Sequence, residues 1–104
     1  MLFISYWELN PDLDPTAIGD VAQELISKKI YPVAGIKDIV FHVSTSDYWG
    51  ITLTEAESEE AMVRSTNIWR IARPGLIKFL RTSPAIEVAK VLPILAKLKK
   101  AVKG

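Results

Sequence analysis

The chain has 104 residues, of which 49% are hydrophobic, 13 are basic, 12 are acidic and none is cysteine. A length of about 100 residues suits one domain, so residues 1–104 are predicted to fold as a single unit. The net charge of +1 gives no overall attraction to nucleic acid, and no nucleic-acid partner is expected. The absence of cysteine excludes disulfides and thiolate metal sites and favours a reducing, cytoplasmic location.

The first segment, "LFISYWEL" (residues 2–9), is rich in aromatic and branched residues and is followed by "NPDLDP". Alternate residues are apolar on both faces, which is typical of a strand in the middle of a covered sheet. The apolar run reaches Glu8 after about seven residues, too few for a signal peptide core or a membrane span. No membrane-spanning segment is therefore expected.

The next segment, "DPTAIGDVAQELISKKI", changes to a helical period, with apolar residues on one stripe and charged residues on the other. Asp14 is predicted to cap this helix, and Pro15 suits its first position. "IKDIVFHVST" (36–45) then predicts a second strand, in which Ile39, Phe41 and Val43 oppose Val40 and His42.

A short turn, "TSD", leads into a third strand, "YWGITLTE" (48–55), so the second and third strands are predicted to form an antiparallel hairpin. A second helix is predicted from about residue 56 to 72. Glu57, Glu59 and Glu60 crowd its first turns, where the helix dipole favours negative charge. This explains the acidic cluster without a metal ion, and no metal site is predicted.

The last part of the chain predicts a fourth strand, "LIKFLRTSPAI" (76–86), and a C-terminal helix at about 87–103. Pro93 lies inside this helix, which predicts a kink or a restart near Leu92. Five lysines lie off its apolar stripe. Such a helix can bind an anionic membrane or nucleic acid, but packing on its own or a partner subunit is the preferred interpretation.

The predicted order β-α-β-β-α-β plus a helix belongs to the α+β class. It is the ferredoxin-like arrangement, an antiparallel sheet with its two main helices on one face. The other face is also apolar and stays bare in a monomer. Pairing of two such faces predicts a homodimer, with a higher homo-oligomer also open, in the form of a dimeric α/β barrel.

Four stretches carry a resemblance to a known family: "MLFISYWEL", the "P..G" before the second strand, "ESEEAMVRSTNIW" and "TSPAIEVAKVL". They resemble the DUF3303 proteins, a domain family of unknown function among the dimeric α/β barrels. The resemblance implies the fold and the dimer but no activity. The wider superfamily includes cofactor-independent monooxygenases, haem-degrading enzymes, muconolactone isomerases and effector-binding domains, which are too diverse for transfer by fold. Haem-binding members use an axial histidine; the sole histidine here, His42, matches no haem motif, and no cofactor is predicted.

Two function hypotheses follow. In the first, the dimer binds a small apolar or aromatic molecule between sheet and helices, with or without cofactor-free oxygenase or isomerase chemistry. The candidate ligand-binding residues combine aromatic rings with hydrogen-bonding groups: Tyr6, His42, Tyr48, Asn67 and Trp69. In the second, the protein is a non-catalytic assembly protein. Its aromatic residues then serve the core and the dimer interface, and His42 is a hydrogen-bonded strand residue.

The space between sheet and helices discriminates between these hypotheses. A cavity of about 300 Å³ or more favours ligand binding, whereas a filled core favours assembly. A second possible ligand surface is the helix face shared by Arg64, Asn67 and Arg70, which could capture a carboxylate. A solvated helix face is the preferred interpretation of that surface.

Overall fold

A computed structural model describes all residues 1–104 and contains four strands and three helices. In chain order they are β1 (Leu2–Leu9), α1 (Ala17–Ser27), β2 (Ile36–Val43), β3 (Trp49–Ala56), α2 (Glu59–Ala72), β4 (Ile77–Pro84) and α3 (Val88–Lys103). The strands form one antiparallel sheet in the order β2-β3-β1-β4. This α+β arrangement is compatible with the predicted ferredoxin-like fold.

Three helix predictions need correction. α2 begins at Glu59 rather than near residue 56, because β3 keeps its pairing through Ala56 and the Ser58 side chain caps the helix. Asp14 does not directly precede α1. Its carboxylate accepts two 2.8 Å hydrogen bonds from Thr16, which lower the pKa of Asp14 and form a turn before the helix.

The third correction concerns α3, which runs without interruption from Val88 to Lys103 although Pro93 lies inside it. The predicted restart near Leu92 is therefore wrong. The single hydrogen bond that proline removes from a helix interior does not divide this one. No helix in the chain is both long enough and apolar enough to cross a lipid bilayer.

The predicted hairpin of β2 and β3 is confirmed, but β2 contains a bulge between Asp38 and Val40. Asp38 pairs with Thr54 and Phe41 pairs with Thr52, so both face the same side of the sheet although they are three residues apart. A bulge inserts one extra residue into a strand and resets its alternation. The prediction that Ile39 shares a face with Phe41 is therefore wrong, because Asp38 takes that place.

The core lies between the helices and one face of the sheet. The apolar stripe of α1 packs on the middle and end of β1, in a buried cluster of Trp7, Leu9, Ala17, Val21, Leu25 and Leu76. A smaller buried cluster joins β1, β3 and α2 through Phe3, Ala56 and Met62. In β1 and β3 the residues that share a face are those that strict alternation groups together.

The opposite face of the sheet has no helix packed on it. Five large apolar side chains are exposed on it: Ile4, Tyr6, Trp49, Ile51 and Phe79. Of the charged residues on this face, Lys37, Glu55 and Arg81 lie at strand ends or on edge strands, whereas Glu8 lies between Trp49 and Phe79 in one cross-strand row. We call this surface the bare sheet face.

Candidate functional site

A cavity of about 60 Å³ lies between the sheet and helices α1 and α2. Four aromatic residues line it and contact one another edge to face. The ring centroids of Tyr31 and Trp69 are 5.6 Å apart, those of Trp69 and Phe41 are 6.0 Å apart, and those of Phe41 and Trp7 are 5.9 Å apart. Such pairs are favourable beyond the area they bury, so the four rings form a connected wall. We call this space the aromatic cavity.

The sheet side of the aromatic cavity is polar. Thr52, Ser5 and Thr82 lie side by side on three neighbouring strands, and Ser5 and Thr82 share a hydrogen bond of 2.8 Å. The indole Nε1 of Trp7 donates to Thr52 Oγ1 at 3.0 Å. Every buried side-chain nitrogen and oxygen in the protein has a partner. The polar band is therefore satisfied within the chain and adds little desolvation penalty.

Asp38 is the charged group at the edge of this band. Its two carboxylate oxygens accept hydrogen bonds from different elements: Tyr31 Oη donates to Oδ2 at 2.6 Å, and Thr54 Oγ1 donates to Oδ1 at 3.1 Å. Burial raises the pKa of Tyr31 strongly, and the hydrogen bond and negative charge of Asp38 raise it further. Tyr31 therefore keeps its proton at neutral pH and holds the loop before β2 against the sheet.

The size of the aromatic cavity limits what it can contain. A free space of about 60 Å³ is enough to hold ordered water. Pockets for drug-sized ligands occupy about 300–1,000 Å³. A ring-sized molecule would therefore enter only if the aromatic wall opened.

The structure separates the five predicted site residues. Trp69 lines the aromatic cavity. Tyr48 packs on the edge of the larger core cluster, and its carbonyl accepts a hydrogen bond from Leu9 N at 2.7 Å. Asn67 lies on the outer side of α2, where its Nδ2 donates to the Val63 carbonyl at 2.8 Å.

The other two predicted site residues, Tyr6 and His42, lie on the bare sheet face. They occupy one row across the sheet with Ile51 between them, so their strands are about 9–10 Å apart. The His42 imidazole is exposed and makes no hydrogen bond within the chain. The predicted hydrogen bond of this histidine is therefore wrong, and the sheet does not bring it into the aromatic cavity.

Tyr6 is the centre of an aromatic cluster on the bare sheet face. Its ring centroid lies 6.1 Å from those of both Trp49 and Phe79. Its hydroxyl donates to Glu8 Oε2 at 2.9 Å, and this bond raises the pKa of Tyr6. Three half-exposed rings in contact on an open face are typical of an interface anchor.

The helix face of Arg64, Asn67 and Arg70 does not form a carboxylate site. Arg64 Nη1 donates to Glu60 Oε1 at 2.8 Å in an exposed pair one turn apart. Arg70 is exposed beside a separate depression that includes Phe3 and Thr82. The two guanidinium groups therefore border different surfaces.

Sequence reasoning missed Tyr31, Asp38 and Phe41 as members of one site. Asp38 did carry a signal, because a carboxylate inside the apolar strand "IKDIVF" needs a partner if it faces inward. Tyr31 lies in the loop before that strand, and its pairing with Asp38 depends on the bulge. No alternation pattern reports a bulge in advance.

No known family model matches this chain, and no curated protein is similar to it in sequence.

Proposed function

We propose that the protein is a homodimeric assembly protein, in which two copies pair through their bare sheet faces to form a dimeric α/β barrel. The bare sheet face is the observation that carries this proposal. It exposes a continuous set of large apolar side chains on strands that are well formed in the single chain. Exposed apolar patches of this kind mark association surfaces in soluble proteins. The same assembly is what the resemblance to the DUF3303 family implies.

The size and layout of the bare sheet face fit an interface. Its four strands of eight residues span a flat area of about 500 Å², from a spacing of about 4.8 Å and a rise of about 3.4 Å. With side-chain relief this approaches the roughly 800 Å² that each partner buries in a standard interface. Lys37, Glu55 and Arg81 lie at its margin, as charged residues of an interface rim usually do, and Glu8 within the apolar set accepts a hydrogen bond from Tyr6.

The small aromatic cavity also supports assembly over ligand binding. Its polar groups are paired with one another, and its free volume is far below that of a ligand pocket. The aromatic residues of β1, β2 and α2 then serve as packing groups.

Replacement of Ile51 by lysine tests the proposed dimer. Ile51 lies on a central strand of the bare sheet face and is exposed in the single chain, so Ile51→Lys leaves the fold intact while placing charge at the interface. We expect wild-type protein to sediment at twice the monomer mass at micromolar concentration and Ile51→Lys to sediment as a monomer. Ile26→Lys, an exposed isoleucine at the end of α1, is the matched control and should remain dimeric. A monomeric wild type would overturn the proposal.

A second candidate function is binding of a small apolar or aromatic molecule in the aromatic cavity. The observation that favours it is the combination of four ring walls with the Asp38 carboxylate, which can accept a hydrogen bond from a ligand hydroxyl. Phenol is a suitable probe because it matches both features. If this site is used, phenol should raise the melting temperature of the wild type and should raise that of Trp69→Leu more, because leucine leaves part of the ring's space open. Trp49→Leu, on the bare sheet face, should keep the response; equal responses in all three proteins would refute a site in this cavity.

A further inference from the structure

Helix α3 lies outside the packed body of the protein, which comprises residues 1–87. None of its residues is buried, and the molecule is 56 Å long but only 30 Å and 19 Å in its other dimensions. A compact chain of this length has a radius of gyration of about 13 Å, whereas this chain has one of 16.9 Å. The helix therefore covers little of its surface in the single chain.

The exposed surface of α3 includes an apolar stripe. At about 100° per residue, the stripe falls within an arc of about 80° and consists of Val88, Val91, Leu95, Leu98 and Val102. Apart from Val91, its members are between 52% (Leu95) and 71% (Val102) exposed. An isolated helix of 16 residues is marginal in water, so a surface that covers the stripe would stabilise it.

The five lysines of α3 border the stripe on both sides. Lys90 and Lys97 lie beyond one edge, Lys99 and Lys103 lie beyond the other, and Lys100 lies on the opposite side of the helix. α3 has no acidic residue, so it carries a charge of +5; the whole chain carries +1, which leaves −4 on the body. Cations along both edges of an apolar stripe match a surface that is apolar inside and anionic at its boundary.

The uncovered apolar surfaces of the body do not complement this charge. The groove between the α1–β2 loop and the outer side of α2 is lined by Lys29 and Arg64 and by no carboxylate, so it repels the lysines of α3. The bare sheet face holds as many acidic as basic residues, so it offers no net attraction. These residues are Glu8, Glu55, Lys37 and Arg81. Charge complementarity therefore favours a partner other than this chain.

We infer that α3 is an interfacial helix that binds the surface of an anionic phospholipid bilayer. The helix is about 24 Å long and lies in the plane of the bilayer, with its apolar stripe against the acyl chains nearest the headgroups. The lysine amines reach the anionic headgroups from both edges of the stripe. This contact covers the stripe and neutralises the charge of α3 at the same time.

A lipid surface fits α3 better than nucleic acid does. Phosphates of nucleic acid also attract lysines, but they leave an apolar stripe uncovered. α3 has neither an arginine nor an aromatic residue to contact bases. The body, with its charge of −4, is repelled by an anionic bilayer, and the projection of α3 allows the helix to bind while the body stays in water.

Co-sedimentation of the full chain with vesicles tests the inference. Vesicles of phosphatidylcholine alone are compared with vesicles in which about a quarter of the lipid is phosphatidylserine. Each lysine near an anionic surface raises affinity roughly fivefold, so we expect binding to the anionic vesicles to be at least about tenfold tighter. Absence of binding to the anionic vesicles, or equal binding to both compositions, would overturn the inference.

Paired variants separate the contribution of the stripe from that of the lysines, and far-UV circular dichroism checks that they fold. Leu95→Gln combined with Leu98→Gln keeps the charge and should weaken binding to anionic vesicles about tenfold or more. Ala89→Gln, off the stripe, is the matched control and should bind like the wild type. Unchanged binding of the double leucine variant would show attachment by charge alone and overturn the inference.

The lysines have a matched control on the body. Lys99→Gln combined with Lys103→Gln should weaken binding about 25-fold, from roughly fivefold per lysine. Lys28→Gln combined with Lys29→Gln removes the same charge at the end of α1 and should leave affinity within about twofold. Equal losses in the two double variants would overturn the assignment to α3.

Hydrogen exchange of the wild type with and without anionic vesicles locates the contact. Peptides from residues 88–103 should exchange about tenfold or more slowly when vesicles are present, because binding holds the exposed helix together, while peptides of the body should be unchanged. Protection confined to the body would overturn the inference. Duplex DNA in place of vesicles should give no protection of α3; protection by DNA and not by vesicles would assign the helix to nucleic acid and also overturn it.

Discussion

Gly50 gives the sharpest test of how the aromatic cavity is built. It lies on β3 opposite Trp7, and a Cβ added there would overlap both the Trp7 ring and the backbone carbonyl of His42. The Trp7 ring has little freedom to yield, because it donates to Thr52 and contacts Phe41 edge to face. Gly50→Ala should therefore force strain onto the ring and weaken its hydrogen bond. Overpacking and one lost hydrogen bond together predict a loss of about 2–4 kcal/mol in the free energy of unfolding.

Gly19→Ala is the matched control for this change. Gly19 lies inside α1 and has no atom within 4 Å of an added Cβ, so alanine should stabilise the helix by about 0.5–1 kcal/mol. Urea denaturation of the three proteins at one concentration measures both changes. The reasoning is refuted if Gly50→Ala melts within about 0.5 kcal/mol of the wild type, or if the two variants shift in the same direction.

Three further predictions concern single side chains. Tyr31→Phe should lower the free energy of unfolding by about 1–2 kcal/mol at pH 7 through the lost bond to Asp38. The folded state raises the pKa of Tyr31, so its hydroxyl stabilises the fold fully below the unfolded pKa of about 10, and this stabilisation is lost as the pH rises from there through the folded pKa. In urea melts above about pH 10, the free energy of unfolding of the wild type should therefore fall faster with pH than that of Tyr31→Phe. Parallel losses in the two proteins would contradict this. Trp7→Ala should cost about 3–5 kcal/mol and Trp49→Ala less in melts of dilute protein, because only Trp7 is buried; the reverse order would count against the assignment of faces. In the same dilute melts His42→Gln should stay within about 0.5 kcal/mol of the wild type, since the imidazole is exposed in the single chain, and a larger loss would reveal a missing contact.

The sequence was sufficient for the order of elements and for the two faces of β1 and β3. In those strands the side chains alternate without interruption, so each residue keeps the face that its position predicts. The hairpin of β2 and β3 was also predictable, because a short polar turn joins two β-rich runs. These features depend on local patterns that the chain carries in full.

The candidate site was less predictable because it depends on contacts between distant residues. The bulge in β2 moved Asp38 to the face of Phe41, and Tyr31 reached Asp38 from the preceding loop. Tyr6 and His42 look suitable for a ligand site by residue type, yet their strand positions place them on the bare sheet face. Side-chain chemistry indicates candidate residues, but only the register shows which of them share a surface.

The projection of α3 was not predictable either. Its apolar stripe indicated a helix that packs on something, and the sequence alone favoured its own or a partner subunit. The three-residue connection from β4 and the direction of the helix leave it off its own body. Where a terminal helix packs is decided by the surfaces that remain uncovered after the sheet and the other helices have formed.

The central claim is that two copies pair through their bare sheet faces. Isotope-filtered nuclear Overhauser spectroscopy on a mixture of labelled and unlabelled wild-type chains tests it most directly, because it detects only contacts between copies. We predict intermolecular contacts among the side chains of Ile4, Tyr6, Trp49, Ile51 and Phe79, which are exposed in the single chain. A spectrum without contacts between these residues, in protein that tumbles as a monomer or associates only through its helices, would contradict the claim.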